Sequence, residues 1–387
     1  MKDKIVQQLI EAEKKRQKRA INLIASENYV STDVLKALGS EFVNKYAEGY
    51  PGARYYGGNE ISDQIESLCQ ERALKLFKLS PKKWQVNVQP LSGSPANVAV
   101  YLALVKPSEK IMGMSLNHGG HLTHGHKVSI TGKMWQSVNY EVDAKTEQLD
   151  YEAIRKIAKI EKPKLIVAGF TAYPRKINWQ KFRDIADEVG AILMVDMSHI
   201  AGLIAGGAYP SPFPYADVVT TTVHKTLRGP RSAMIFSRQE FSAKINKAVF
   251  PGLQGGPHLN QIAGTAVALH EAMQPEFKTY TKQIVKNAKV LAKELKQLGW
   301  QLVSGGTDSH LILMDTFMEG KGLSGKEASL KLEQAGIIVN KNTIPGEKRS
   351  PMDPSGIRLG TASETTRGKN EVDMIKLAKK IDNILRQ

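Results

Sequence analysis

The chain has 387 residues, and its single cysteine, Cys69, excludes a disulfide framework or a cysteine-based metal site within one chain. Its hydrophobic fraction of 41% and charged fraction of 24% are ordinary for a globular protein, and its length favours two or three structural units. The formal net charge of +16 indicates good solubility or an anionic ligand. Nucleic-acid binding is the other interpretation of this charge. The even spread of Lys and Arg along the chain, with no single basic tract, makes it the less favoured one.

The N-terminal segment contains lysines but no apolar core, so we expect no secretory signal. No uninterrupted apolar run is long enough to span a bilayer, so we predict no membrane association. Together with the single cysteine, these features favour a reducing cytoplasm.

Residues 1–20 have helical spacing, with Ile5, Val6, Leu9 and Ile10 on one side. This apolar side either packs on the body of the protein or contacts another subunit. Residues 44–58 are dense in Tyr and Gly and follow neither a helix nor a strand period, which predicts a loop. The loop either packs against the surface or holds its side chains over a site.

A Ser-Gly-Ser turn at residues 92–94 precedes a helical pattern. Ser94 is predicted to be the N-cap and Pro95 the first helical residue. Free N–H groups and hydroxyls at a helix start favour a phosphate group.

Four of the nine histidines lie in residues 116–126. A metal site is one interpretation, but no acidic ligand stands beside these histidines, and the Gly-Gly and Thr are typical of a loop around a ligand. We therefore predict no metal. A neutral histidine here could stack on a flat heterocycle.

Short apolar runs at residues 164–169 and 191–196 are separated by a helical segment, which predicts parallel, buried strands. The second run ends on Asp196, and the β-branched run from Val218 stops just before Lys225. Proteins with parallel α/β sheets bind their ligands at the carboxyl ends of the strands. An acid, an amine and a phosphate-binding turn suit pyridoxal phosphate: Lys225 forms the Schiff base, Asp196 holds the ring nitrogen protonated and the helix start takes the phosphate.

From about Tyr280 the pattern changes to a smaller α+β unit, and residues 351–363, including Arg358, are predicted to be a loop. The helix from about Leu259 to Met273 is the best candidate for a link between the two units.

Eight motifs together resemble the serine hydroxymethyltransferase family, and they occur in order from about Ile21 to Arg367. They are Leu-Ile-Ala-Ser-Glu-Asn28, Lys-Tyr-Ala-Glu-Gly-Tyr-Pro51, Arg-Tyr-Tyr-Gly-Gly58, Ser-Gly-Ser-x-Ala-Asn97, His-Gly-Gly-His-Leu-Thr-His-Gly125, Val-Asp-Met-Ser-His199, His-Lys-Thr-Leu-Arg-Gly-Pro-Arg231 and Gln-Gly-Gly-Pro257.

The resemblance implies an α/β fold of the fold-type I pyridoxal-phosphate class, with a mostly parallel seven-stranded sheet and a smaller α+β C-terminal domain. We expect an N-terminal arm over residues 1–50, a large cofactor-binding domain over 51–258, and a linking helix with the small domain over 259–387. The resemblance also implies a homodimer that shares its active sites. The implied reaction interconverts serine plus tetrahydrofolate with glycine plus methylenetetrahydrofolate.

The resemblance also implies site residues, position by position. The implied catalytic residues are Lys225, Glu48, His121, Asp196, Tyr56 and Thr222. The implied cofactor-binding residues are Ser92, Gly93, Ser94, His121, Thr171, Asp196, His199, His224, Lys225, Tyr46, Gly255 and Gly256. The implied residues for the amino acid and folate are Ser26, Tyr46, Glu48, Tyr56, Arg358, Leu116, Gly119, Gly120 and Asn342.

Individual roles follow from the same resemblance. His121 stacks on the cofactor ring, and Arg358, helped by Ser26, grips the substrate carboxylate. Glu48 carries a proton between the serine hydroxyl or formaldehyde oxygen and folate. Gly255 and Gly256 reach the cofactor phosphate of the neighbouring subunit, while Tyr46, Glu48 and Tyr56 line the site across the interface. Leu116, Gly119, Gly120 and Asn342 contact folate.

Four sites depart from the pattern that the resemblance implies, and the end beyond Arg367 is shorter than it implies. Ser232-Ala233 stands where a Gly pair is expected, and Ala362 stands where Pro is expected. Thr171 stands where Ser is expected, which keeps a hydroxyl, and Val223 stands where Thr is expected, which removes one close to Lys225. Two other functions stay open. One is a folate-independent threonine or β-hydroxy amino acid aldolase that uses the same cofactor. The other is a basic scaffold or RNA-binding protein without catalysis, against which intact Lys225, Asp196 and Arg358 argue.

Overall fold

A computed structural model describes residues 1–387. The helices are α1 (Lys4–Arg19), α2 (Thr32–Leu38), α3 (Glu60–Leu76), α4 (Gly93–Leu104), α5 (Ile130–Met134), α6 (Tyr151–Glu161), α7 (Trp179–Val189), α8 (Ala201–Ala205), α9 (Gln239–Lys247), α10 (Leu259–Ala272), α11 (Pro275–Gln297), α12 (Gly325–Gln334), α13 (Ala362–Thr366) and α14 (Glu371–Arg386). The strands are β1 (Ile21–Asn22), β2 (Gly49–Tyr50), β3 (Ala53–Arg54), β4 (Trp84–Asn87), β5 (Lys110–Met114), β6 (Gln136–Tyr140), β7 (Leu165–Gly169), β8 (Ile192–Asp196), β9 (Val218–Thr222), β10 (Ala233–Arg238), β11 (Gln301–Leu302), β12 (Leu311–Asp315), β13 (Ile337–Ile338), β14 (Asn340–Asn342) and β15 (Gly356–Gly360).

Seven strands form the larger sheet, in the order β4-β10-β9-β8-β7-β5-β6. Strand β10 is antiparallel to both of its neighbours, and the other neighbouring pairs are parallel. Helices cover a mostly parallel sheet on both faces, which is why β7 and β9 are buried along their whole length and read as continuous apolar or β-branched runs. The predicted fold class is confirmed.

The parallel pair β8 and β9 sets the position of the two key side chains. Asp196, the last residue of β8, is level with Thr220 of β9. Strand β9 ends at Thr222, so Lys225 follows it at the same carboxyl edge of the sheet. Parallel strands bring such residues to one edge, where open α/β sheets bind ligands.

Helix α4 begins earlier than the sequence suggested. Its N-cap is Ser92, which has an extended backbone, and Gly93 is the first helical residue. The predicted N-cap at Ser94 is therefore wrong. Pro95 lies in the first turn, where its missing N–H removes no intrahelical bond, so proline marks the first turn rather than its first residue.

The smaller sheet has the order β11-β12-β15-β14, and Arg358 lies in the middle of β15. The predicted loop over residues 351–363 is wrong at this strand. Ile357 and Leu359 are fully buried in the C-terminal core, so Arg358, between them, points to the opposite face of the sheet. The sequence pattern did not indicate this strand because Arg358 at its centre is charged and Gly356 and Gly360 at its ends are typical of turns.

The Tyr/Gly-rich segment is also more ordered than expected. Strands β2 and β3 form an antiparallel hairpin in which Gly49 pairs with Arg54. Gly49 has φ +97°, and an ideal Cβ there would lie 2.2 Å from the carbonyl oxygen of Ala53. Only glycine fits this position, because a side chain would meet both backbone strain and a clash.

Helix α1 buries none of its residues, and Ile5 and Leu9 remain 71% and 65% exposed. Its apolar side therefore does not pack on the body of its own chain. No helix combines the length and apolarity that a membrane crossing requires.

The seven-stranded sheet lies within residues 84–238 and the four-stranded sheet within 301–360. Strand β1 pairs in parallel with β13, which ties the N-terminal segment to the C-terminal part. The domain boundaries at residues 50 and 258 stay predictions.

Candidate active site

Asp196 is the buried acid of the site. Its Oδ2 accepts a hydrogen bond from Asn97 Nδ2 at 2.9 Å and lies 3.1 Å from His124 Nε2, while its Oδ1 accepts from the N–H of Ser198 at 3.1 Å. Burial acts to raise the pKa of Asp196, but the His124 hydrogen bond and the charges of nearby His124, His121 and Lys225 hold it well below its usual range. Asp196 is therefore an anion at neutral pH.

Lys225 is the buried amine, with 9% of its surface exposed. Burial lowers its pKa to about 8; Asp196 opposes this change, and the positive charges of Arg358 and Arg231 add to it. Asp196 and Arg358 therefore lie within electrostatic reach of the amine. A lowered pKa leaves more of the neutral, nucleophilic amine at neutral pH than an ordinary lysine has. Asn28 Nδ2 donates to the Lys225 carbonyl at 2.9 Å and holds this turn in place.

The start of α4 forms a cradle beside these residues. An ideal Cβ on Gly93 would lie 2.8 Å from Thr222 Cγ2, so a side chain at this position would meet β9. Thr222 is held in turn by its N–H, which donates to Ser198 Oγ at 3.0 Å. The first N–H groups of a helix have no partner within it, and the hydroxyls of Ser92 and Ser94 flank them, so the cradle suits an anion.

Two neutral imidazoles line the site. Burial, aided by the charges of His124 and Lys225, lowers the pKa of His121 to about 4. His121 Nδ1 lies 2.7 Å from Thr123 Oγ1. Burial and the charge of Lys225 also hold the pKa of His199 well below its usual range. The Nε2 atom of His199 is buried and has no hydrogen-bond partner, which is the kind of atom that a ligand satisfies.

Arg358 is a buried cation without an anionic partner. Its Nε donates to Asn340 Oδ1 at 3.0 Å and its Nη1 to the Thr171 carbonyl at 2.7 Å, but no carboxylate of the chain forms an ion pair with it. Burial lowers its pKa to about 10. A guanidinium that is 6% exposed and unpaired is poised to receive a carboxylate from a ligand.

The residues predicted to contact folate adjoin this group. The carbonyl of Gly119 accepts hydrogen bonds from the N–H groups of Thr171 and Ala172 at 2.7 and 3.1 Å. Asn342 lies on β14, beside the strand of Arg358. The segment of Gly119 is thus bonded to the residue whose carbonyl binds Arg358, and the segment of Asn342 is paired with the strand of Arg358.

Ser26 and His224 lie together in a separate cleft of about 400 Å³ that also includes Asn28 and Arg231. Burial, with the charges of Lys225 and Arg231, lowers the pKa of His224 to about 3. Because Asn28 bonds the Lys225 backbone, this cleft adjoins the lysine turn from the other side.

A second cluster of predicted site residues surrounds Tyr46 and Glu48. The rings of Tyr46 and Tyr56 meet edge to face, with centroids 5.4 Å apart. An ideal Cβ on Gly256 would lie 3.3 Å from the Tyr46 ring, and one on Gly255 would lie 3.3 Å from Glu48 Oε1. Within one subunit, this cluster is not joined to the group of Lys225, Asp196 and Arg358 by any hydrogen bond or ion pair.

Sequence reasoning gave no role to three residues that orient the site. Asn97 binds Asp196, Thr123 and Thr220, His124 binds Asp196, and Asn340 binds Arg358. The spacing held a signal for the first, because Asn97 follows Gly93 by four residues and shares its helix face. Val223 belongs to the main hydrophobic core, so the hydroxyl that it lacks would have lain in an apolar environment.

These features fit pyridoxal phosphate. The amine, the acid, the anion cradle and the unpartnered His199 Nε2 would hold its aldehyde, ring nitrogen, phosphate and ring substituents. The fold and the site define a pyridoxal-phosphate enzyme of fold type I.

Comparison with known proteins narrows the class. The family model described as serine hydroxymethyltransferase matches residues 1–381. A serine hydroxymethyltransferase from Desulfotalea psychrophila is 55% identical over 377 residues, which cover 97% of this chain and 87% of the relative. One from Legionella pneumophila strain Corby is 53% identical over 385 residues, covering 99% of this chain and 91% of the relative. The chain belongs to the serine hydroxymethyltransferase family.

Proposed function

We propose that this chain catalyses the reversible conversion of serine and tetrahydrofolate to glycine, 5,10-methylenetetrahydrofolate and water, with pyridoxal phosphate on Lys225. Family membership over nearly the whole chain supports this transferase activity. The structural observation that carries the residue assignment is the placement of a buried amine and a buried carboxylate at the ends of two neighbouring parallel strands.

When bound, pyridoxal phosphate accepts the electron pair that is left on the serine Cα as its bond to Cβ breaks. The neutral amine of Lys225 would hold the aldehyde end of the cofactor. Asp196 stays ionised, oriented by Asn97 and His124, and keeps a proton on the ring nitrogen. Ser92, Gly93 and Ser94 would hold the phosphate, and the neutral ring of His121 would lie against the cofactor.

The free N–H groups of Arg358, two on Nη2 and one on Nη1, would bind the substrate carboxylate and so align the breaking bond with the cofactor ring. The Nη2 of Arg358 makes no hydrogen bond within the chain, while Nε and Nη1 are fixed by Asn340 and Thr171. Glu48 carries the proton between the serine hydroxyl or formaldehyde oxygen and folate, and Leu116, Gly119, Gly120 and Asn342 contact the folate.

The active protein is a homodimer in this proposal. Glu48, Tyr46, Tyr56, Gly255 and Gly256 form a cluster that makes no hydrogen bond or ion pair with the Lys225 of their own chain, which suits a contribution to the site of the partner subunit. The exposed apolar side of α1 offers a further subunit contact. The free, buried thiol of Cys69 suits a reducing compartment such as the cytoplasm.

The activity is tested by following glycine formation from serine with and without tetrahydrofolate. We expect tetrahydrofolate to raise the rate strongly and methylenetetrahydrofolate to form in equal amount with glycine. If β-hydroxy amino acids are cleaved at a rate that tetrahydrofolate does not change, and serine is a poor substrate, the chain is an aldolase instead. Family membership favours the first outcome.

Replacing Arg358 by lysine is expected to raise the KM for serine by roughly 10- to 100-fold, because the planar fork and its charged hydrogen bonds are lost while one positive charge remains. Steady-state kinetics with serine as the varied substrate measure this change. Arg155→Lys is the matched control, because Arg155 pairs with Glu152 and Glu188 on the surface. Equal KM values for the Arg358→Lys variant and the control would contradict the assignment.

A further inference from the structure

The backbone around Glu48 is held unusually firmly. Three consecutive carbonyl oxygens accept hydrogen bonds: Ala47 and Gly49 from Arg54 Nη1 at 2.9 and 3.0 Å, and Glu48 from the N–H of Tyr55 at 2.9 Å. The Glu48 carboxylate itself accepts no hydrogen bond and forms no ion pair within the chain. Its direction is therefore set by its backbone, and Arg54 fixes that backbone on both sides.

Arg54 is anchored by two acids. Its Nη2 donates to Glu66 at 2.7 Å and its Nε to Asp63 at 2.8 Å. The side chains of Arg54 and Glu66 are 4% and 0% exposed. A buried ion pair needs further hydrogen bonds to be tolerated, and these charges obtain them from the backbone carbonyls and from Gln89. The planar guanidinium binds carboxylates and carbonyls at once, which an ammonium group cannot reproduce.

Gln89 links this pair to the rest of the site. Its Nε2 donates to Glu66 and to the Gly49 carbonyl, each at 2.9 Å. The backbone carbonyl of Gln89 accepts a hydrogen bond from Gln254 Nε2 at 3.0 Å, and Gln254 directly precedes Gly255. The hairpin of Glu48, the strand leading to the Ser92 cradle and the Gly255 loop are thus connected through one polar core.

We infer that Arg54, with Glu66 and Gln89, is a positioning device that sets the carboxylate of Glu48 for proton transfer. This inference rests on the proposed role of Glu48. A free carboxylate on an unanchored hairpin would sample many directions, and a misplacement of about 1 Å can cost on the order of a hundredfold in rate. Arg54 touches no substrate in this account and acts through Glu48 alone.

A double-mutant cycle on the holoenzyme tests this inference, with Arg54→Lys, Glu48→Gln and the double variant. We expect Arg54→Lys to lower kcat for tetrahydrofolate-dependent serine turnover by roughly 10- to 100-fold. Glu48→Gln lowers it by roughly 10²- to 10⁴-fold. The double variant is expected to match Glu48→Gln, because Arg54 has nothing left to position. Cofactor absorbance and cofactor affinity should not change.

The alternative outcomes are distinct. A double variant that shows the product of both losses, or an Arg54→Lys variant with unchanged kcat, overturns the inference. A Glu48→Gln variant with full activity overturns the proposed role of Glu48 and the inference with it. Arg183→Lys is the control, because Arg183 also binds a carboxylate, Asp217, and two backbone carbonyls elsewhere in the fold. If Arg54→Lys does not fold, Gln89→Met replaces it in the cycle with the same expected pattern.

Discussion

Replacing Lys225 by alanine is expected to lower serine turnover by roughly a thousandfold or more, the order of loss seen when a covalent catalytic group is removed. The amine is buried, its pKa is lowered to about 8, and it lies within electrostatic reach of Asp196. Lys225 is the one lysine among the buried residues of the chain, so no other lysine is an equivalent replacement. The measurement is kcat for serine turnover, with the absorbance spectrum recorded at saturating pyridoxal phosphate.

The matched control for this prediction is Lys289→Ala on the exposed side of α11, which removes the same charge far from the strand ends. It should retain the turnover of the unmodified protein. Circular dichroism establishes that both variants are folded. Wild-type turnover in the Lys225→Ala variant would exclude Lys225 as the covalent residue.

The second large effect is expected for Asp196→Asn, which keeps the shape of the side chain and removes its charge. Loss of an electrostatic group of this kind costs roughly 10²- to 10³-fold in kcat. A neutral amide cannot hold a proton on the ring nitrogen, although Asn97 and His124 remain close by. The pKa of Asp196 is lowered, so the carboxylate keeps its charge throughout the pH range in which an ordinary aspartate titrates. The charge is lost only at a pH well below that range. We therefore expect no inflection from Asp196 in activity between about pH 5 and 9.

Asp217→Asn provides the comparison for this variant. Asp217 also lies at an end of β9 and accepts hydrogen bonds from Leu193 and Arg183, but it stands at the amino end of the strand. Its replacement should affect stability and leave the kcat of the folded protein unchanged. Similar kcat losses in both variants would mean that Asp196 acts through the fold and not through the cofactor.

The sequence predicted the parts of the site that depend on strand ends. Asp196 and Lys225 each follow a run of buried residues, and parallel pairing of β8 with β9 brings such ends together. The Ser92–Ser94 turn was recognised because a helix start binds anions whatever the rest of the fold does.

Other features depend on contacts between distant segments, and local patterns do not reveal which residues meet. Asn97 and Asp196 are 99 residues apart in the chain, and Arg358 and Thr171 are 187 apart. The prediction of a loop around Arg358 is wrong because Gly356 and Gly360, at the two ends of this strand, are residues typical of turns. The anchoring of Glu48 by Arg54 could not be predicted either, because the strands of this hairpin are too short to show the alternation typical of a strand.

Borohydride reduction followed by peptide mapping tests the central claim most directly. The purified protein is loaded with pyridoxal phosphate, reduced, digested and analysed by mass spectrometry. We expect a yellow protein in which the phosphopyridoxyl group becomes fixed on Lys225, and no fixed label in Lys225→Ala. A protein that takes up no cofactor, or one labelled on a different lysine, would contradict the assignment of Lys225 and Asp196 as the two ends of the cofactor site.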